Sequence, residues 1–452
     1  MKLHPNATNK TAIWAAALTL LTAGACDLTA YDEDLDLQTQ TRADPDESVE
    51  ASPWAERGRL VSFKRARRLS RKQIRRAMFD LPFADSYADF GLDDFFDFYD
   101  KDDIDEVVRY RVDVYQVVYE TIDPQGQPTV ASGAVLLPRT WHGLNDEVAL
   151  WTLLRGTVFY DADVPSHGDM PDFGIWRGLL PAAAGYATAM PDYLGFGASR
   201  HMVHPYLIPE PTATASVDMM RATRHLADEL GVSLRDEVFL SGHSQGGHAT
   251  LSTLRALEAD HGDEFELSAA TAASGTYAFS GLADFIFNSE ALIAPQVMSL
   301  YLLAVTGTRD LGQPLSYYFE APYDETVLEL HDKTKTNAEI IAGLPSDTTD
   351  ELFADAFLTA YRGEGALDFK AALALSDVHA GWTPQTPVRL FHGGGDITVP
   401  VTQAQAALAG LGGQGADIEL EIIEDADHLQ TIVPSTLQTI EWFDSVLEDA
   451  DS

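Results

Sequence analysis

One run constrains this chain more than any other: VFLSGHSQGGHATL, residues 238–251. An apolar stretch ends at Gly242, Ser244 stands alone between glycines, and a helical pattern follows at once. A strand that turns into a helix within G-x-S-x-G leaves no space for bulky side chains at 242 and 246. It also holds the serine in a strained backbone conformation, with its oxygen exposed above the sheet. The run therefore predicts a strand, a tight elbow at Ser244 and a helix.

The rest of the chain supplies a sheet for that unit. RYRVDVYQVVYETI and TVASGAVLLP alternate apolar and polar residues on either side of the turn DPQGQP, which predicts a β-hairpin. Apolar runs follow at regular spacing: EVALWTLL, YATAMPD, EVFLSG, LSAATAAS, PVRLFHG and IELEII. TATASVDMMRATRHLADELG, stopped by Gly231, and GGHATLSTLRALEAD read as helices between them. Strands alternating with helices predict an α/β fold, a mostly parallel sheet flanked by helices on both faces. The regularity breaks between about 276 and 380, where helical runs occur without a clear strand. That stretch is read as a helical cap inserted into a main domain of 88–452.

The amino-terminal region reads differently. Residues 1–25 have the basic start, apolar stretch and small-residue end (Ala23-Gly24-Ala25) of an export signal. Cleavage there makes Cys26, the only cysteine, the first residue. The pattern resembles a bacterial lipoprotein signal, although Ala23 stands where leucine is usual. The two expectations are a membrane-anchored lipoprotein, or a secreted or periplasmic protein with an incidental thiol. With one cysteine no intramolecular disulfide can form, so packing alone holds the fold.

Residues 26–87 are read as a poorly ordered spacer, acidic then basic. Ten Asp and Glu fall between Asp27 and Glu56, and ten Lys and Arg between 57 and 76. The basic run is expected as a helix, either lying on an anionic membrane surface or pairing with acids of the same chain. Further on, DKDDIDE has the carboxylates of a calcium loop but lacks its glycine, so no metal is expected there. The formal net charge of −40 repels phosphates and argues against nucleic acid as a partner. Nothing in the sequence specifies an oligomeric state.

A serine hydroxyl needs a base to become nucleophilic, and the base needs an acid to orient it. In chain order serine, acid, histidine, the candidates are Ser244, Asp396 in FHGGGDITVP and His428 in EDADHLQ. The acid and the histidine each follow the C-terminal end of a predicted strand, where open α/β sheets build their sites. His392 precedes Asp396, His243 is expected to point away from Ser244, and Asp425 and Asp427 are too close in sequence to His428 to orient it easily. An oxyanion needs N–H donors. The backbone of Gln245 offers one, and Thr157 or Gly156 in LLRGT offers the second. Asp192, in MPDYLGFG, is read as a structural turn residue rather than a substrate contact. No cofactor is required.

From about Phe95 to Phe443 the chain resembles the secretory lipases of the fungal lipase-A type and their bacterial relatives. DFFDFYD, ASGAVLLP, LLRGT, MPDYLGFGAS, GHSQGGHAT, FHGGGDITVP and DADHL fall in the family's order. The resemblance implies an α/β-hydrolase fold, a helical cap over an acyl-binding tunnel and hydrolysis of carboxylic esters, often lipids. Its catalytic trio falls on Ser244, Asp396 and His428, and its early oxyanion donor falls near Thr157. The chain departs from the fungal members in lacking disulfides and in carrying Arg155 before Gly-Thr.

The expectation is thus a serine-dependent hydrolase of lipid or other apolar acyl esters, possessing a lipase or esterase activity that proceeds through an acyl-enzyme. The alternatives are an acyltransferase or amidase with the same three residues, or a non-catalytic surface protein that uses this fold for binding.

Overall fold

The computed structural model describes residues 39–40, 57–79, 98–139, 147–167, 173–413 and 415–452. The export signal, Cys26 and most of the acidic stretch lie outside the described residues.

Among the described residues ten strands form a single sheet: β1 (Thr39–Gln40), β2 (Leu60–Leu69), β3 (Arg111–Ile122), β4 (Pro128–Arg139), β5 (Val148–Leu154), β6 (Ala187–Pro191), β7 (Leu234–His243), β8 (Glu266–Ala273), β9 (Val388–Gly393) and β10 (Ile418–Ile423). Their spatial order is β1-β2-β3-β4-β6-β5-β7-β8-β9-β10. From β6 to β10 every pairing is parallel, and from β1 to β6 every pairing is antiparallel. The expected hairpin is β3–β4, closed by the Asp123 side chain, which accepts from the Gln125 and Gln127 N–H groups at 2.8 Å. Parallel strands need crossovers, and the crossovers supply helices to both faces.

The main helices are α1 (Arg71–Phe79), α2 (Leu179–Ala184), α3 (Pro209–Leu230), α4 (Gln245–Asp260), α5 (Phe279–Asn288), α6 (Pro295–Thr308), α7 (Leu367–Leu375) and α8 (Ile432–Ala450). Gly231 ends α3 in the left-handed conformation, φ 67°, as its place in the sequence predicts. The side-chain period of two divides the sheet's apolar residues between two cores. Leu150 and Leu240 join Met219 and Leu251 on one face. Trp151 and Phe239 join Ile432 and Phe443 on the other. Trp151 packs edge-on against Tyr186 and Phe443, at 5.0 and 4.7 Å between ring centroids, and donates to Ser241 Oγ at 2.7 Å.

Between β8 and β9 the chain runs through eight helices and contributes no strand to the sheet. These helices have their own core, in which Phe287 contacts the rings of Phe353, Phe357, Tyr361 and Phe369 at 4.9 to 5.9 Å. Phe159, Tyr206 and Ile208 belong to the same cluster, so this core reaches the segment that follows β5.

The basic run does not form the helix expected over 57–76. Residues 60–69 are the strand β2, beside β3, and α1 starts only at Arg71. Two bulges, between Leu60 and Ser62 and between Arg65 and Arg67, break the period of two and hide the strand in the sequence. Leu60 and Phe63 pack on the core. Arg57 reaches the buried Asp218 at 3.0 Å, Arg68 reaches Asp113 at 3.1 Å, and Arg59 pairs with Glu120. Arg68 of the strand and Arg57 and Arg59 just before it thus pair with acids of the chain itself, and charge on an outer strand also deters edge-to-edge association. Asp100 and Asp103, in the weak calcium-loop pattern, form a capping box at the start of the helix Lys101–Val107. No described helix is long and apolar enough to cross a membrane.

Candidate active site

The elbow forms where the sequence puts it. Ser244 separates β7 from α4 with φ 61° and ψ −123°, a conformation that costs a non-glycine residue about 1–3 kcal/mol. The neighbouring glycines are sterically required. A Cβ on Gly242 would lie 2.2 Å from the Gly246 carbonyl oxygen, and one on Gly246 would lie 2.0 Å from that of Leu154. The Ser244 N–H is fixed by the Ala273 carbonyl at 2.9 Å, while its hydroxyl makes no hydrogen bond among the described residues.

Asp396 and His428 come together from two separate loops. His428 Nδ1 donates to Asp396 Oδ2 at 2.8 Å. Asp396 Oδ1 accepts the N–H groups of Thr398 and Val399, both at 2.9 Å. Burial alone would raise the Asp396 pKa. The charge and hydrogen bond of His428 and the Val399 N–H outweigh it and hold the carboxyl below its ordinary range. The acid is therefore ionised at neutral pH.

His392 is wholly buried and lies on the inner side of the same carboxylate, 3.5 Å from Asp396 Oδ2. Its Nε2 is 2.8 Å from the Val399 carbonyl, to which it donates. Its Nδ1 is buried with no hydrogen-bond partner among the described residues. Asp427 caps the turn after it, accepting from the Leu429 and Gln430 N–H groups at 2.8 Å.

His243, expected to point away from Ser244, makes contacts that the sequence hides. Its Nε2 donates to the His428 carbonyl at 2.7 Å and lies 3.0 Å from Thr431 Oγ1. The two imidazoles sit 4.6 Å apart between centroids. The residue before Ser244 is thus tied directly to His428. Burial, followed by the charges of His428 and Arg177, keeps His243 neutral, with a pKa well below the usual value. The one sequence signal for this role is a histidine at the buried end of the strand.

The oxyanion candidates also assemble beside the nucleophile. Gln245 opens α4, so its N–H has no acceptor one turn earlier in the helix. Its side chain is buried and places Nε2 3.0 Å from His204 Nε2. A Cβ on Gly156 would lie 3.9 Å from the Ser244 Cβ, which puts the Gly156–Thr157 segment against the elbow. Thr157 Oγ1 is held 3.0 Å from the Tyr206 hydroxyl.

Arg155 faces the scaffold. It donates to the Asp192 carbonyl at 3.1 and 2.6 Å and to the Gly156 carbonyl at 2.9 Å. Its guanidinium lies over the rings of Tyr193 and Phe196, at 4.6 and 4.8 Å. Arg155 therefore orients the peptide that follows it. Asp192 is wholly buried, bonded to Ser132 at 2.6 Å and to the Ser166 N–H at 2.9 Å, which fits a structural turn. Among the described residues no group of three or more His, Cys, Asp or Glu could hold a metal ion.

Sequence comparison finds no matching family model and no matching curated protein. Structural comparison finds many similar chains. A presumed hydrolase from Legionella pneumophila is 24% identical with a TM-score of 0.73, over 86% of this chain and 98% of that one. The rice cell wall degrading esterase LipA from Xanthomonas oryzae, in a ligand-bound form, is 25% identical with a TM-score of 0.71, over 87% of this chain and 99% of that one. Lipase A from Candida antarctica, in its closed state, shares the fold at 17% identity and a TM-score of 0.54, over 75% of this chain and 78% of that one. Fold and neighbours together give the chain an α/β-hydrolase fold.

Proposed function

We propose that the protein is a serine-dependent carboxylic-ester hydrolase that works through an acyl-enzyme on lipid or other apolar acyl esters. The observation that carries this reading is the convergence of the strained Ser244 with the Asp396–His428 hydrogen bond, whose histidine is tied to residue 243. The esterase activity of the Xanthomonas oryzae neighbour supports it.

In this reading His428 Nε2 takes the hydroxyl proton as Ser244 Oγ bonds to the ester carbonyl carbon. The carbonyl π pair moves to oxygen, which the N–H groups of Gln245 and of the Gly156–Thr157 segment then receive. Asp396 keeps the Nδ1 proton in place and stabilises the imidazolium. The intermediate collapses, the bond to the alkoxy oxygen breaks, and His428 returns the proton to that oxygen. Water then repeats the sequence on the acyl-enzyme and frees the acid and Ser244. Every proton and electron pair is accounted for without a cofactor. Catalytic hydrogen bonds are often loose in free enzymes and tighten with substrate, so the unbonded Ser244 hydroxyl is compatible with this scheme.

The test is hydrolysis of p-nitrophenyl esters from acetate to palmitate by the purified protein. Turnover of about 1–1000 s⁻¹ on at least one ester is expected, with kcat/KM rising beyond the acetate. A flat, uncatalysed background across the whole series contradicts the reading.

A further inference from the structure

Arg177 has no part in the scheme above, and its environment is exceptional. It follows the helical turn Phe173–Trp176 and precedes α2. Its side chain is only 9% exposed, its Nε is buried with no hydrogen-bond partner, and no ion pair among the described residues includes it. Burial lowers its pKa to about 10, which leaves it protonated at neutral pH. The other buried arginine beside the elbow, Arg155, is satisfied by two carbonyls and two aromatic rings. A buried guanidinium N–H without an acceptor is costly, and local costs of this kind are expected at functional sites.

The geometry identifies that charge. Arg177 Nη1 lies 3.9 Å from the place a Cβ would take on Gly156. The same place is 3.9 Å from the Ser244 Cβ and 3.4 Å from the His243 carbonyl oxygen. Arg177 therefore flanks the Gly156 peptide on the side of the nucleophile. Arg155, Gly156, Val158 and Arg177 line a cavity of about 10 Å³, the room of one water and too little for a carboxylate. Asp163 also lines it. A bound organic anion does not fit that cavity, and the negative charge that the reaction creates at Ser244 arises beside the Gly156 peptide that Arg177 flanks.

We propose that Arg177 is an electrostatic partner of the oxyanion site, acting through the Gly156 peptide to stabilise the negative oxygen of the tetrahedral intermediate. It touches no reacting atom and is a positioning residue in that sense. Water is scarce around it, so its field is poorly screened and is already in place when the charge develops. The inference rests on the ester-hydrolase reading. It separates from an ordinary structural role because a buried unpaired charge opposes folding. Removing it slows the reaction while leaving the fold as stable or more so.

The experiment compares wild type, Arg177→Met and Arg177→Lys by kcat and KM on p-nitrophenyl butyrate, by thermal unfolding, and by affinity for phenylboronic acid. The boronic acid adds to an active serine as a tetrahedral anion. For Arg177→Met, kcat falls about 10- to 100-fold with KM within about twofold. Boronate binding weakens about tenfold and the unfolding midpoint does not drop. Arg177→Lys keeps the charge and recovers most of the rate. Unchanged kcat and boronate affinity in Arg177→Met overturn the inference and leave the hydrolase reading standing. A fall in both rate and unfolding midpoint, shared by the lysine variant, also overturns it, because that is the signature of packing. Where wild type turns over no ester yet binds the boronate, the boronate ratio alone decides. Absence of both in wild type removes the hydrolase reading and this inference with it.

Discussion

Replacing Ser244 with alanine is expected to lower kcat on the best p-nitrophenyl ester by about a millionfold, down to the level of trace background. The proposed scheme has one nucleophile, and the alanine has no oxygen to attack with. Stability is expected to hold, because the hydroxyl makes no hydrogen bond among the described residues and the fold loses no partner with it. The backbone at 244 stays strained in the variant, since φ 61° is as unfavourable for alanine as for serine. Kinetics and a thermal melt on the same preparations check both halves. A variant that keeps even a hundredth of the wild-type rate removes Ser244 from the mechanism.

Asp396→Asn is expected to cost about ten-thousandfold in kcat, and the local hydrogen bonds say why. Oδ1 of residue 396 already accepts two backbone N–H groups, from Thr398 and Val399. An asparagine keeps its carbonyl oxygen on those donors, so its amide NH₂ turns toward His428. His428 Nδ1 must then accept where it now donates at 2.8 Å, and its proton moves to Nε2. That tautomer cannot take a proton from Ser244. The same substitution alters the acid limb of stability. The Asp396 pKa is depressed in the folded chain, so its contribution is complete above the unfolded value of about 3.9 and is lost as the pH falls through the lower folded value. The variant lacks that loss, so its acid unfolding below about pH 4 is shallower than the wild type's. Steady-state kinetics and a pH series of thermal melts measure the two effects.

What the sequence reveals here is what local pattern encodes. The six runs from EVALWTLL to IELEII are β5 to β10, because the inner strands, covered on both faces, are mostly apolar and the edge strand β10 alternates apolar residues with exposed glutamates. The elbow at Ser244 is legible because only glycine fits at 242 and 246. Asp396 and His428 are legible because each follows a strand end. The strand β2 is not legible, since two bulges scramble its alternation and its charges meet partners such as Asp218, about 160 residues away. The same limit hides His243 and Arg177. One acts on a carbonyl 185 positions downstream, and the other is notable only because folding buries its Nε without a hydrogen-bond partner.

The central claim is that Ser244 is a nucleophile activated by its surroundings. Incubating the native protein with a fluorophosphonate and mapping the adduct by peptide mass spectrometry tests it most directly. The account predicts one stoichiometric adduct, on Ser244, formed far more slowly in Asp396→Asn. An unmodified Ser244, or an adduct on another serine with Ser244 free, contradicts it.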